Sequence, residues 1–168
     1  LRYLFRHWHT SPSEGCEIKL HLKMPIFIAR QWIRHRMASL NEISGRYSII
    51  KDEFFVPSLE DIKEQSTSNK QGRGDDFNED VQDEMRNIIE HCSQMSFHAY
   101  DELIAANTAK ETSRIILPLN TYTEFYWKID LHNLLHFLRL RMHPHAQKEI
   151  RDYADQIFDF VQEWVPLT

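Results

Sequence analysis

The chain has 168 residues, 42% of them hydrophobic and 12% aromatic, with only four Gly and six Pro. That length and composition suit one folded domain burying roughly two-thirds of its unfolded surface, and they exclude a disordered or repetitive chain. No apolar run approaches the roughly 20 residues of a membrane span, and a formal net charge of −5 argues against broad nucleic-acid binding. In chain order, a helical pattern runs from Leu1 to Trp8. Glu17 to Lys23 alternates, with Ile18, Leu20 and Leu22 opposite Lys19 and His21, as a half-buried strand does. Pro25 suits the start of a helix. Ile26, Ala29, Ile33 and Met37 then give one apolar face, and this pattern fails only around Asn41 to Gly45. Glu53 to Val56 reads as a second strand, and the polar stretch Glu64 to Asp76 as a mobile loop.

Asn78 can cap a helix of about 28 residues, roughly 40 Å long. Its apolar positions are Val81, Met85, Ile88, Ile89, Cys92, Met95, Ala99 and Leu103. Thr108 and Glu111 make a capping-box pair for a short helix. Thr121 to Ile129 alternates as a strand, Asp130 caps a helix over Leu131 to Arg141, and Pro144 opens a last helix running to about Trp164. The expected fold is α+β, a small antiparallel or mixed sheet flanked by helices, one of them long and central. Cys16 and Cys92 lie far apart and form no CxxC pair, which points to a reducing, cytoplasmic setting rather than a disulfide framework or zinc site.

Charge is uneven. Acids outnumber bases from Asp61 to Glu90, whereas Arg30, Arg34, Arg36 and Arg46 face the single acid Glu42 between Arg30 and Tyr47. Guanidinium forks suit a phosphate or a carbonyl-bearing ring, and a carboxylate among them can orient those forks or accept from an imide N–H. Gly45 allows a turn that other residues disfavour. Ser44, His35 and Glu42 include the residue types of a hydrolytic triad, but no nucleophile-elbow glycine pattern surrounds the serine. By composition this is an anion site.

The same segment, Arg34-His35-Arg36-Met37-Ala38-Ser39-Leu40-Asn41-Glu42-Ile43-Ser44-Gly45-Arg46, resembles the signature R-H-R-x-x-S-x-N-E-x-S-x-R of flavin-dependent thymidylate synthases and matches each fixed position. The resemblance extends over Pro25 to Trp32, Tyr47, Glu53-Phe54, Arg114 to Asn120, Leu138 to Arg141 and His145 to Gln147. It implies that residues 1–168 are a single catalytic domain lacking the N- and C-terminal ends of the full protein. Arg34, His35, Arg36 and Glu42 would then contact FAD, as would Ser11, Asp130, Leu131, His132 and His136. Gln31, Trp32, Ile33, Arg34, Glu42, Ile43, Ser44, Gly45, Arg46 and Arg114 would hold dUMP. Arg141 would be the catalytic arginine that favours ionisation of the uracil ring. The implied reaction makes dTMP from dUMP, with methylenetetrahydrofolate as carbon donor, reduced FAD as hydride donor and NADPH as reductant of the flavin. The implied assembly is a homotetramer with sites built from several subunits, bound to neither nucleic acid nor membrane.

Two departures stand out. Where the family usually has Thr/Ser-Pro-Phe-Glu and then a bulky residue, this chain reads Ser11-Pro12-Ser13-Glu14-Gly15, which predicts a looser flavin or folate pocket. Asp130 and His136 stand where some members carry asparagine. Two other readings remain at this level. His132 and His136, four apart on a helix, could serve a metal-dependent phosphohydrolase, and the chain could be a catalytically silent nucleotide-binding module.

Overall fold

A computed structural model describes residues 2–166. The elements run α1 (Arg2–Arg6), α2 (Ser11–Glu14), β1 (Glu17–Pro25), α3 (Ile26–Trp32), β2 (Ala38–Glu42), β3 (Lys63–Gln65), β4 (Arg73–Asp76), α4 (Glu79–Ala105), α5 (Lys110–Ser113), β5 (Tyr122–Asp130), α6 (Leu131–Arg141) and α7 (Lys148–Trp164). The α+β class holds, with a three-stranded sheet in the order β1-β5-β2 and a separate two-stranded sheet, β3-β4. No helix of the described residues is long and apolar enough to cross a membrane.

The chain forms two compact units, one of Leu1–Leu22, Ile28–Glu42 and Glu124–Thr168, the other of Lys23–Phe27 and Ile43–Thr123. In the first unit, strand alternation decides what is buried. Phe125, Trp127 and Ile129 of β5 face inward at 2% exposure or less, and β2 pairs antiparallel to β5 from Ala38↔Ile129 to Glu42↔Phe125. Helix α6 adds Leu131, Leu134, Phe137 and Leu138, and α7 adds Ile150, Ala154, Ile157 and Val161 at helical spacing. Trp32 of α3 is wholly buried, its ring 4.4 Å from that of Phe137 and 5.3 Å, edge-on, from that of Trp127. Asp130 caps α6 as expected, its carboxylate accepting from the Asn133 N–H at 2.9 Å.

In the second unit α4 spans 27 residues behind its Asn78 cap, which accepts from the Val81 N–H at 2.9 Å. Phe97 and Tyr100 are its buried aromatics. The Tyr100 hydroxyl accepts from the Ile50 N–H at 3.0 Å. Polar groups on the same buried side are satisfied: Gln82 Nε2 donates to the Ile62 carbonyl at 3.0 Å, and Asn120 Nδ2 donates to Ser93 Oγ at 2.9 Å.

Several expectations need correction. Helix α3 stops at Trp32, and the signature continues as a turn and then the edge strand β2, so Met37 lies outside the helix and is 70% exposed. The stretch expected to be a loop contains the β3-β4 hairpin, whereas Glu53 to Val56 contributes only the isolated bridge Phe54↔Thr121. Helix α5 has Ala109 at its cap and no side-chain cap bond, so Thr108 and Glu111 form no capping box. Helix α7 begins at Lys148, after a turn closed by the Ala146 N–H on the His143 carbonyl. Helix α1 is shorter than expected, and Leu1 lies outside the described residues. Val81, Met85, Ile88, Ile89, Cys92, Met95, Ala99 and Leu103 do lie on α4, but none of them is buried.

Candidate active site

The signature is shared between the two units, and each half has its own geometry. In the first unit it begins at the end of α3. Arg141, the last residue of α6, donates through Nε to His35 Nε2 at 2.9 Å and through Nη2 to the Gln31 carbonyl at 3.2 Å. One side chain therefore closes the carbonyl end of α3 and fixes the turn beyond it. A nitrogen that accepts from a guanidinium carries no proton, so His35 is neutral here with its hydrogen on Nδ1. Burial, the Arg141 charge and His136, in that order, lower its pKa from 6.5 to about 4. Burial also lowers the Arg141 pKa, though a guanidinium stays protonated. Gln31 is held from the other side, its Nε2 donating to Gln147 Oε1.

Around this pair, Arg34, Arg36, His132 and His136 are exposed, the two histidines one helical turn apart on α6. Among the described residues Arg34 and Arg36 enter no ion pair. Burial opposes ionisation of Asp130, but hydrogen bonds from Asn133 outweigh it and hold the carboxyl below its ordinary range. Glu42 ends β2, exposed, and Ile33 is 47% exposed. Trp32 and Leu131 are buried, so their side chains belong to the core and their backbone alone can face a ligand. Ser11 is exposed at the start of α2. Ser13 is 1% exposed, its hydroxyl donating to the Thr10 carbonyl at 2.7 Å. The small residue there is packed into the turn.

In the second unit Ile43, Ser44, Gly45 and Arg46 form a tight loop, with the Arg46 N–H on Ser44 Oγ at 3.3 Å. Gly45 has no positive φ, which corrects the expectation of a special turn. It is needed for close approach, since a Cβ there would lie 3.1 Å from Ile50 Cδ1 and 3.2 Å from Arg114 Cδ. Arg114 therefore lies over the loop and is exposed as a residue. Arg46 Nε and Nη2 both reach Glu111 Oε2 at 3.0 Å. A shallow depression bordered by Lys23, Asp52, Glu53, Phe54 and Tyr122 takes in none of the signature residues. Among the described residues no three His, Cys, Asp or Glu side chains are placed to hold a metal ion.

The sequence model of the thymidylate synthase complementing protein family matches residues 1–167. The chain belongs to this family, that of the flavin-dependent thymidylate synthases. A flavin-dependent thymidylate synthase of Ehrlichia ruminantium (strain Gardel) is 53% identical over 169 residues, covering 100% of this chain and 57% of the relative. Similar proteins of that name occur in Treponema denticola, 55% identical over 98% of this chain and 62% of the relative, and in Dictyostelium discoideum, 51% identical over 99% and 55%. The chain thus spans a little over half the length of these relatives. In structure it is similar to the UMP/dUMP methylase PolB of Streptomyces cacaoi. Bound with 5-Br dUMP, that protein gives a TM-score of 0.85 at 30% identity over 96% of this chain and 72% of that one. Bound with 5-Br UMP, it gives 0.88 at 30% identity over 96% and 75%.

Three residues that hold the signature or its neighbours had no part in the site read from the sequence, where Glu111 was expected only to cap a helix. Gln147 holds Gln31, Glu111 holds Arg46, and Lys110 Nζ donates to the Tyr47 carbonyl at 2.9 Å. Each lies more than 60 residues from its partner, so no local pattern announces it. Gln147 falls in a stretch that carries the family resemblance, which was the available signal.

Proposed function

We propose that the protein is a flavin-dependent thymidylate synthase that methylates dUMP to dTMP, taking carbon from methylenetetrahydrofolate. The observation that carries this reading is the pair Arg141–His35. A partly desolvated guanidinium is held by a neutral imidazole and a helix-end carbonyl, and among the described residues no carboxylate is hydrogen-bonded to it. Such a cation gains most from an anionic partner, and an ionised uracil ring is one. The chain's membership of the family and its likeness to a methylase bound with 5-Br dUMP support that ligand.

The residues present also fit FAD. Arg34 and Arg36 offer exposed forks suited to a diphosphate, and His132 and His136 add donors on one helical face. Asp130, the Leu131 backbone, Ser11 and Glu42 complete the proposed flavin contacts. When bound, FAD supplies hydride chemistry, with NADPH as its reductant. The proposed nucleotide contacts are Gln31, the Trp32 backbone, Ile33, Arg34 and Glu42 in the first unit, with Arg141 stabilising charge on the ring, and, in the second, the Ile43–Arg46 loop and Arg114. Cys16 and Cys92 are free and exposed, outside every element assigned to the nucleotide, and they suit a cytoplasmic setting. The unburied apolar stripe of α4 supports a homotetramer.

The test is spectroscopic and kinetic. Purified full-length protein should carry flavin absorbance and form dTMP. Arg141→Ala should keep the flavin and lose dTMP formation by at least 100-fold, the scale of removing one donor aimed at developing charge. Normal turnover by that variant would overturn the role of Arg141. Flavin binding without any turnover in the unaltered protein would instead support a silent nucleotide-binding module.

A further inference from the structure

Arg46 does not present an open fork. Its Nε and Nη2 converge on a single oxygen of Glu111, each at 3.0 Å, so the donors that a guanidinium offers to an oxyanion are already engaged. Lys110, the neighbouring residue, holds the Tyr47 carbonyl. Arg114, just past the end of α5, lies over Gly45. The same short stretch of chain thus brings two cations and one carboxylate to the loop carrying Ser44, Gly45 and Arg46.

We propose that Glu111 tunes nucleotide affinity as an internal stand-in for the phosphate, occupying the Arg46 fork until a phosphate displaces it. This rests on the reading that the loop takes dUMP. The pair is 57% and 55% exposed, and an ion pair so open to solvent exchanges readily. Glu111 keeps the fork aligned for an incoming oxyanion and also competes with it. Its negative charge lowers the affinity of every anion at this point. A ligand with other contacts, such as a nucleotide, still binds, while inorganic phosphate alone gains too little to displace the carboxylate.

The test is calorimetric titration of the full-length protein with dUMP, deoxyuridine and inorganic phosphate. Glu111→Gln keeps an acceptor for Arg46 and removes the charge. It should bind dUMP about three- to tenfold more tightly at low ionic strength, with the gain shrinking as salt screens it. Inorganic phosphate should tighten by a similar factor, deoxyuridine should be unchanged, and the gain should vanish in an Arg46→Ala background. Unchanged or weaker dUMP binding by Glu111→Gln, in a protein whose unaltered form binds dUMP, would overturn the proposal. An equal gain for deoxyuridine would do so too. Failure of the unaltered protein to bind dUMP would overturn the nucleotide reading and the part given to Glu111 with it.

Discussion

A proton at His35 is disfavoured first because the ring is partly buried beside Phe137, and then because Arg141 brings its charge and a donor to Nε2. Its folded pKa of about 4 lies below the unfolded value, so between about 4 and 6.5 the unfolded chain binds more protons than the folded one. Stability therefore rises with pH through that window, being complete above 6.5 and lost below 4. With the site partly open to solvent, the effect should be about 1–2 kcal/mol. Urea unfolding midpoints measured from pH 4 to 7.5 should show this slope. In His35→Gln it should flatten, and an unchanged slope would place the proton elsewhere. Gly45 makes a second residue-scale case. A methyl group there meets Ile50 and the middle of the Arg114 side chain, which must both shift by a few tenths of an ångström, so Gly45→Ala should cost about 1 kcal/mol of stability. It should nevertheless weaken dUMP several-fold by shifting Arg114, a split that melting and titration together would reveal.

At the scale of elements, Asn78→Ala should cost about 1 kcal/mol, because its side chain satisfies the Val81 N–H at the start of α4. Thermal melting followed by circular dichroism measures it. That cap was legible in the sequence, as were Asp130, the alternation of β1 and β5, and the extent of α6, because each is set by neighbours in the chain. The end of α3 was not. Its apolar spacing continues to Met37, whereas the contacts found at its end are long-range: Arg141 donates to the Gln31 carbonyl, 110 residues away, and the chain then joins the ladder with β5. Strand β2 was missed for a related reason, since it is held by its ladder with β5 and has little apolar alternation of its own. The signature residues were legible as a set, but local pattern did not show that Trp32 packs into the core or that Arg46 is already paired. On α4 the periodicity identified a real apolar stripe. The buried side instead carries Gln82 and Ser93, polar residues tolerated because each is hydrogen-bonded.

For the whole molecule, that stripe is the main consequence. Val81, Met85, Ile88, Cys92 and Met95 recur at spacings of four, three, four and three, the interval of helices that pack along their length. Ile88 is 51% and Met95 59% exposed. A contiguous apolar band on a 27-residue helix is costly in water and is a mark of interfaces. Two glutamates, Ile88→Glu with Met95→Glu, place charge in the band without touching Phe97 or Tyr100, which anchor the helix to its own unit. The doubly substituted protein should keep its helical content and its melting should stay cooperative, while sedimentation reports a smaller species than the unaltered protein gives. If the flavin site is built from several subunits, FAD should be lost at the same protein concentration at which the assembly comes apart. An unchanged sedimentation coefficient would remove the stripe from the interface. Dissociation with flavin still bound would place the whole FAD site within a single chain.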